Sequence, residues 1–201
     1  MVPDRPVGSS VGNQAPEFVG ITNWINSEPL TLEELRGKVV LLDVWTYTCV
    51  NCIRTFPFLK QWHARYADDG LVIVGLHAPE FEFEKETENV VEAAQEYNIV
   101  WPIAQDNDFS TWRAYNNRYW PAKYLIDKDG VVRYTHFGEG AYAETEGTIR
   151  ELLQEAGADL SDDESSLPSD QAQDQTSSIS AVIVSCKQIP PTSLPAIPLG
   201  F

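Results

Sequence analysis

Positive charge is scarce in this chain: 14 Lys and Arg stand against 30 Asp and Glu, a formal net charge of -16 over 201 residues. Such a surface repels phosphate backbones and anionic headgroups, which argues against nucleic acid or an anionic membrane face as partner. It suits a protein that meets other soluble proteins. Long apolar runs are absent too; none approaches the ~20 residues that span a bilayer, so no direct membrane insertion is expected. Residues 1–6 lack a basic stretch leading into an apolar core, so no secretory signal is expected, and the compartment stays open. Cysteine is rare: Cys49, Cys52 and Cys186 are too few for a disulfide scaffold.

What the chain does have is Cys49-Val50-Asn51-Cys52, placed where the apolar run from Val39 to Trp45 gives way to a helical pattern. Two thiols so spaced at a helix start can close a small disulfide ring. The first sulfur faces the positive end of the helix dipole, which favours the thiolate. Alone, such a pair also fits half of a zinc site. Zinc wants about four ligands, however, and His63, His77, His136 and the distant Cys186 stand at no ligand spacing. No metal is expected, and no cofactor beyond a Cys49–Cys52 disulfide.

The rest of the chain reads as one α/β domain. Residues 1–13 are rich in Pro, Gly and Ser and read as a mobile arm. Phe18 and the pair Trp24-Ile25 fit a short edge hairpin. Thr31 to Glu34 is a capping-box pattern opening one helical turn, closed by Gly37. Val39–Trp45 reads as a central strand covered on both faces. Ile53, Phe56, Leu59, Trp62 and Tyr66 recur at helical spacing, and Gly70 ends that helix. Leu71 to Leu76 is a second buried strand, parallel to the first through a right-handed crossover. Val90 to Tyr97 reads as a helix, 99–104 as a short strand limited by Pro102, and 112–115 as a short helix. Lys123 to Ile126 and Val131 to Tyr134, joined by a turn ending in Gly130, make an antiparallel hairpin. A last helix runs from Thr145 to Ala156. From 158 onward Ser, Asp, Gln and Pro dominate, with too little apolar surface to offset chain entropy, so 158–201 is expected to be a disordered tail.

The order β-α-β-α-β-β-α, with the cysteine pair at the first main helix, resembles the thioredoxin fold. Further positions carry the resemblance: Asp43 in the strand, Trp45 at its end, Pro57 inside the helix, and Trp120-Pro121 where a cis-proline faces the disulfide. The extension before the first strand and the insert between about 79 and 104 resemble the TlpA/ResA branch of the redoxin, or AhpC/TSA, superfamily. The stretch from Trp45 to Thr55, and Pro79-Glu80-Phe81-Glu82-Phe83-Glu84, resemble the thioredoxin domain of DipZ-type cytochrome c biogenesis proteins. The resemblance covers roughly residues 12–157. Two features depart from thioredoxin proper: Thr48 replaces a tryptophan before the first cysteine, and Val-Asn replaces Gly-Pro between the two.

The resemblance implies a thiol-disulfide oxidoreductase acting on protein thiols, placed outside the cytoplasm and fed by a membrane electron-donor protein. A monomer is expected. Cys49 would attack and Cys52 would resolve. Asp43, desolvated beneath the cysteines, would take the proton of Cys52, or would simply be a strand-end acid reaching solvent. Glu80 competes for the proton, because the branch implies an acid just after the second strand. Glu82 and Glu84 alternate with Phe81 and Phe83 and read as the solvated face of a short strand. Trp45, Tyr47, Trp120 and Pro121 would form an apolar apron for the partner. His77 reads as a hydrogen-bonded strand-end residue and Cys186 as a free thiol. Two rival functions remain. A peroxiredoxin-like peroxidase needs a proline four positions before Thr46, where Leu42 stands; a non-enzymatic binding module would keep the fold and use the aromatic apron alone.

Overall fold

The computed structural model describes residues 8–160. The expectations about the tail and Cys186 lie outside those residues, as does the start of the N-terminal arm. Six strands form one sheet in the order β1-β4-β3-β2-β5-β6. These are β1 (Asn23–Ile25), β2 (Val39–Trp45), β3 (Leu71–His77), β4 (Ile103–Gln105), β5 (Ala122–Ile126) and β6 (Val132–Phe137). Strand β2 runs parallel to β3, and β3 parallel to β4, while the β1–β4, β2–β5 and β5–β6 pairs are antiparallel.

Every residue of β2 is buried, because helices and loops cover both sides of the sheet. On one face Val39, Leu41 and Trp45 meet α1 (Val50–Tyr66), α2 (Thr87–Glu96) and α4 (Tyr142–Glu155). On the other, Val40, Leu42 and Val44 meet Leu32, Tyr115 and the N-terminal segment that carries Phe18 and Trp24. Helix α3 (Ser110–Ala114) starts where buried Asp106 accepts hydrogen bonds from the amides of Ser110, Thr111 and Trp112. The capping box at Thr31 forms as read: its amide and hydroxyl both reach Glu34 Oε2, at 3.1 and 2.8 Å.

Three local expectations need correction. The edge hairpin does not form; only β1 does, and it pairs with β4, which lies far from it in sequence. The arm does not stay loose up to residue 13, since Gly12 N donates to Val132 O and Val132 N to Asn13 O, at 2.8 and 2.9 Å. At the other end Ala158 and Leu160 still pack on the α1/α4 side of the core, so the change of composition at 158 precedes the last core contact.

Gly75, inside β3, has a packing reason. A Cβ there would come within 2.9 Å of Trp45 Nε1 and 3.4 Å of Trp101 Nε1. Overpacking of this kind costs about 1–3 kcal/mol. Gly75→Ala is therefore expected to lower Tm in a thermal melt and to perturb near-ultraviolet circular dichroism from the two indoles. A variant with unchanged Tm would show that the two tryptophans have room to move.

Candidate active site

Four chain segments meet at the end of the sheet where β2 and β3 finish. Strand β2 ends there at Trp45, opposite His77 of β3, and β5 begins beside Val44 at Ala122. The β2–α1 loop carries the thiols. Cys49 is the N-cap of α1, where its amide donates to Thr46 O at 3.3 Å and its carbonyl accepts from Ile53 N at 3.1 Å. Its sulfur accepts the amide hydrogen of Cys52 at 3.3 Å. Cys49 is half-buried and Cys52 fully buried; both are free thiols.

This geometry separates the two sulfurs chemically. Hydrogen bonds from the Cys52 side chain and from the amides of Cys52 and Asn51 lower the Cys49 thiol to about 7, against desolvation and the nearby charge of Glu80. Burial pushes Cys52 strongly upward, and the neighbouring Cys49 and Asp43 add to it. A thiolate that forms near neutral pH thus lies above a thiol that keeps its proton.

Asp43 and Lys123 lie beneath. They are cross-strand partners on β2 and β5, and both project toward α1. Each is only 1% exposed, with Nζ and Oδ1 3.2 Å apart. The contact has the distance of an ion pair without the direction of a good hydrogen bond, and neither atom has another partner. Burial raises the Asp43 carboxyl, while the Lys123 charge opposes that rise. Asp43 therefore does not reach solvent, and it is not alone. Lys123 carries no local signal in the sequence, because a lysine inside a short strand between apolar residues looks like its solvent side; only the β2–β5 register places it against Asp43.

The acid built into the loop that leads to Cys49 is Glu84. Residues Glu82–Lys85 form a 3-10 turn instead of a strand, and this turns Glu84 inward while Phe81 and Phe83 face out. The buried Glu84 carboxylate accepts from the Thr48 hydroxyl at 2.6 Å and from the amides of Glu80 and Phe81 at 2.5 and 3.0 Å. These bonds hold its pKa below the usual carboxylate value although burial acts the other way. Glu84 ties the loop after β3 to the residue just before the nucleophile. Glu80 is exposed, and its charge acts on Cys49.

The expected apron is only partly an apron. Trp45 is a core residue, 1% exposed, edge-on to Phe56 and His77. Pro121, in a cis peptide with Trp120, is buried too. Trp120 is half-buried; its indole donates to Ala78 O at 3.0 Å and packs on Trp112. Tyr47 is half-buried, stacked on His77, with its hydroxyl donating to Phe83 O at 3.2 Å. His77 is wholly buried, 3.4 Å from the Thr46 hydroxyl through Nε2, and Nδ1 has no partner. Burial lowers His77 to about 4, although Glu84 pulls the other way. Among the described residues no cluster of three or more His, Cys, Asp or Glu is arranged to hold a metal ion.

Three outcomes follow from these environments. The rate of alkylation by iodoacetamide at Cys49, read by peptide mass mapping, should rise with pH through an apparent pKa near 7, while Cys52 stays unmodified in the folded chain. Removing one charge of the buried pair, as in Lys123→Met, should cost about 3–5 kcal/mol in urea melts, because the other stays uncompensated. His77 stays neutral in the folded state down to about pH 4, whereas an unfolded histidine gains its proton near 6.5. Between those values the unfolded state binds more protons. Stability contributed by His77 is therefore complete above about 6.5 and lost as pH falls toward 4, by about 3 kcal/mol in all. The slope of stability against pH in that window should flatten in His77→Gln.

Residues 11–135 match the AhpC/TSA family. The chain is 50% identical over 145 residues to Protein DipZ of Mycobacterium tuberculosis, covering 71% of this chain but 21% of that protein. It thus spans about a fifth of that longer relative. Thiol-disulfide oxidoreductase YkuV of Bacillus subtilis is 32% identical over 141 residues, covering 70% of this chain and 94% of YkuV. Among solved structures, a thioredoxin-like protein in its oxidised form is 31% identical with a TM-score of 0.65, covering 71% of this chain and 95% of that one. A thiol-disulfide isomerase from Corynebacterium glutamicum is 26% identical with a TM-score of 0.63, covering 69% and 96%. The chain belongs to the AhpC/TSA family, alongside relatives named thiol-disulfide oxidoreductases, and has the thioredoxin fold.

Proposed function

We propose that the chain reduces disulfides in partner proteins through Cys49 and Cys52, with Asp43 as the proton acceptor for the second step. The carrying observation is the N-cap position of Cys49, its sulfur bonded to the Cys52 amide above a buried Cys52. The Cys49 thiolate attacks one sulfur of the partner disulfide. That bond breaks, the other partner sulfur leaves as a thiolate and is protonated by solvent, and a mixed disulfide holds the partner on Cys49. Cys52 then passes its proton to Asp43, and its sulfur attacks Cys49 Sγ. The mixed disulfide breaks, the second partner sulfur departs as a thiolate and takes up a proton, and Asp43 releases the proton it accepted. Two electrons and two protons have moved from the dithiol to the partner.

Asp43 suits the second step better than Glu80. It lies on the Cys52 side, its charge acts on that thiol, and burial makes it a stronger base than an ordinary aspartate. Glu80 sits outside, on the Cys49 side. Trp120 and Tyr47 are the half-buried rings left to meet the partner. The DipZ resemblance points to cytochrome c maturation, outside the cytoplasm, with electrons supplied by a membrane protein. Among the described residues no helix is long and apolar enough to cross a membrane.

Insulin reduction in the presence of dithiothreitol tests the reading. Cys49→Ser should abolish it; full activity in that variant would sink the mechanism. Cys52→Ser should accumulate the mixed disulfide, visible on a non-reducing gel. Asp43→Asn should leave the first attack intact and slow resolution by about 10²-fold. Equilibration of the pair with glutathione gives the direction of flow: a potential of about -270 mV marks a reductant and about -120 mV an oxidant.

A further inference from the structure

Four aromatic side chains are exposed among the described residues, and all four lie at the end of the sheet that carries Cys49. They are Phe81, Phe83, Tyr119 and Phe137, each between 46% and 54% exposed. The topology explains the clustering. Phe81 and Phe83 follow the C-terminal end of β3; Tyr119 precedes β5, and Phe137 ends β6 opposite Ala122. Because β3 and β5 are the two neighbours of β2, these residues fall on opposite sides of the loop that leaves β2 for Cys49. Val50, which follows the nucleophile in the chain, is 58% exposed.

Each flank is a pair of rings held in place. Phe81 and Phe83 stack with centroids 5.5 Å apart and planes 3° from parallel. Their backbone is fixed by Glu84 at the Phe81 amide, and by Tyr47 and Asn89 at the Phe83 carbonyl, at 3.2 and 2.8 Å. Tyr119 and Phe137 lie 5.3 Å apart, with the Tyr119 carbonyl accepting from Asn117 at 3.0 Å and Phe137 edge-on to Tyr124. Exposed rings on a tethered backbone cannot fold away from water. They recover the hydrophobic term only when another molecule covers them. The reaction itself supplies that molecule, because the partner must sit on Cys49 as a mixed disulfide. Glu80 adds a second selection: a negative charge beside Cys49 disfavours an anionic disulfide.

We infer that, on the oxidoreductase reading above, the substrate class of this site is polypeptide disulfides whose cysteine carries large apolar side chains on both flanks, seated on the two aromatic pairs. Small anionic disulfides are poor substrates.

The test offers the reduced full chain three disulfides: a peptide dimer with Leu and Phe on both sides of cysteine, the same peptide with Ser and Gly there, and oxidised glutathione. The apolar peptide should be reduced at least about tenfold faster than the polar one, as expected from burying part of one or two rings, with glutathione slowest. In Phe81→Ser/Phe83→Ser, and separately in Tyr119→Ser/Phe137→Ser, the ratio of apolar to polar rates should fall to within about threefold. Circular dichroism reports the fold of each variant. Equal rates on the two peptides, or an undiminished ratio in both double variants, overturn this inference and leave the oxidoreductase reading standing. A chain whose Cys49 still alkylates but which reduces none of the three overturns that reading, and this inference with it.

Discussion

The hydrogen bond from the Cys52 amide to Cys49 Sγ joins helix geometry to thiol chemistry. A helix start leaves amides without intrahelical partners, and here a sulfur takes the place of the usual capping oxygen. Stabilising α1 and stabilising the thiolate are therefore one interaction. The same turn directs Cys52 inward, so the two thiols diverge by position alone. Everything else in the site supports that placement. Trp45 O receives the Ala78 amide, Ala78 O receives the Trp120 indole, and Glu84 holds Thr48.

The sequence was most legible where a residue's role depends on its immediate neighbours. The buried strands β2 and β3, the α1 periodicity, the hairpin closed by Gly130 and the capping box at Thr31 all depend on local pattern, and each appears as read. So do the cysteine pair and the cis peptide at Trp120-Pro121. The failures share a different cause. Alternation over 80–84 has the period of a strand, but residues 82–85 wind as a 3-10 turn, and that moves Glu84 from water into the site. Lys123 acquires meaning only through the strand register, and β1 only through a partner about 80 residues away. Local pattern specifies elements; pairing across the chain specifies which polar groups are buried together.

The corrected apron carries the same lesson for aromatic residues. Trp45 lies in the central strand, where both faces are covered, so its size serves packing against Phe56 and Gly75. The rings left in water come from the strand ends and the turns beside them, where nothing covers them. Position along the strands, more than residue type, separates a core aromatic from a contact aromatic. The buried polar groups follow a parallel division. Asp43 and Lys123 offset one another's charge, whereas His77 avoids the cost of charge by staying neutral.

Glu84 gives the segment after β3 an unusual status. It has the course of a surface loop, with Glu80, Phe81, Glu82 and Phe83 all facing solvent. Yet two of its amides end on one buried carboxylate that also grips Thr48. Opening the segment would break the Thr48–Glu84 bond along with the amide bonds that fold the segment around Glu84, which couples the segment to the β2–α1 turn. Two side chains of the β2–α1 turn, Tyr47 and Thr48, thus hold a segment that the chain reaches only after α1 and β3.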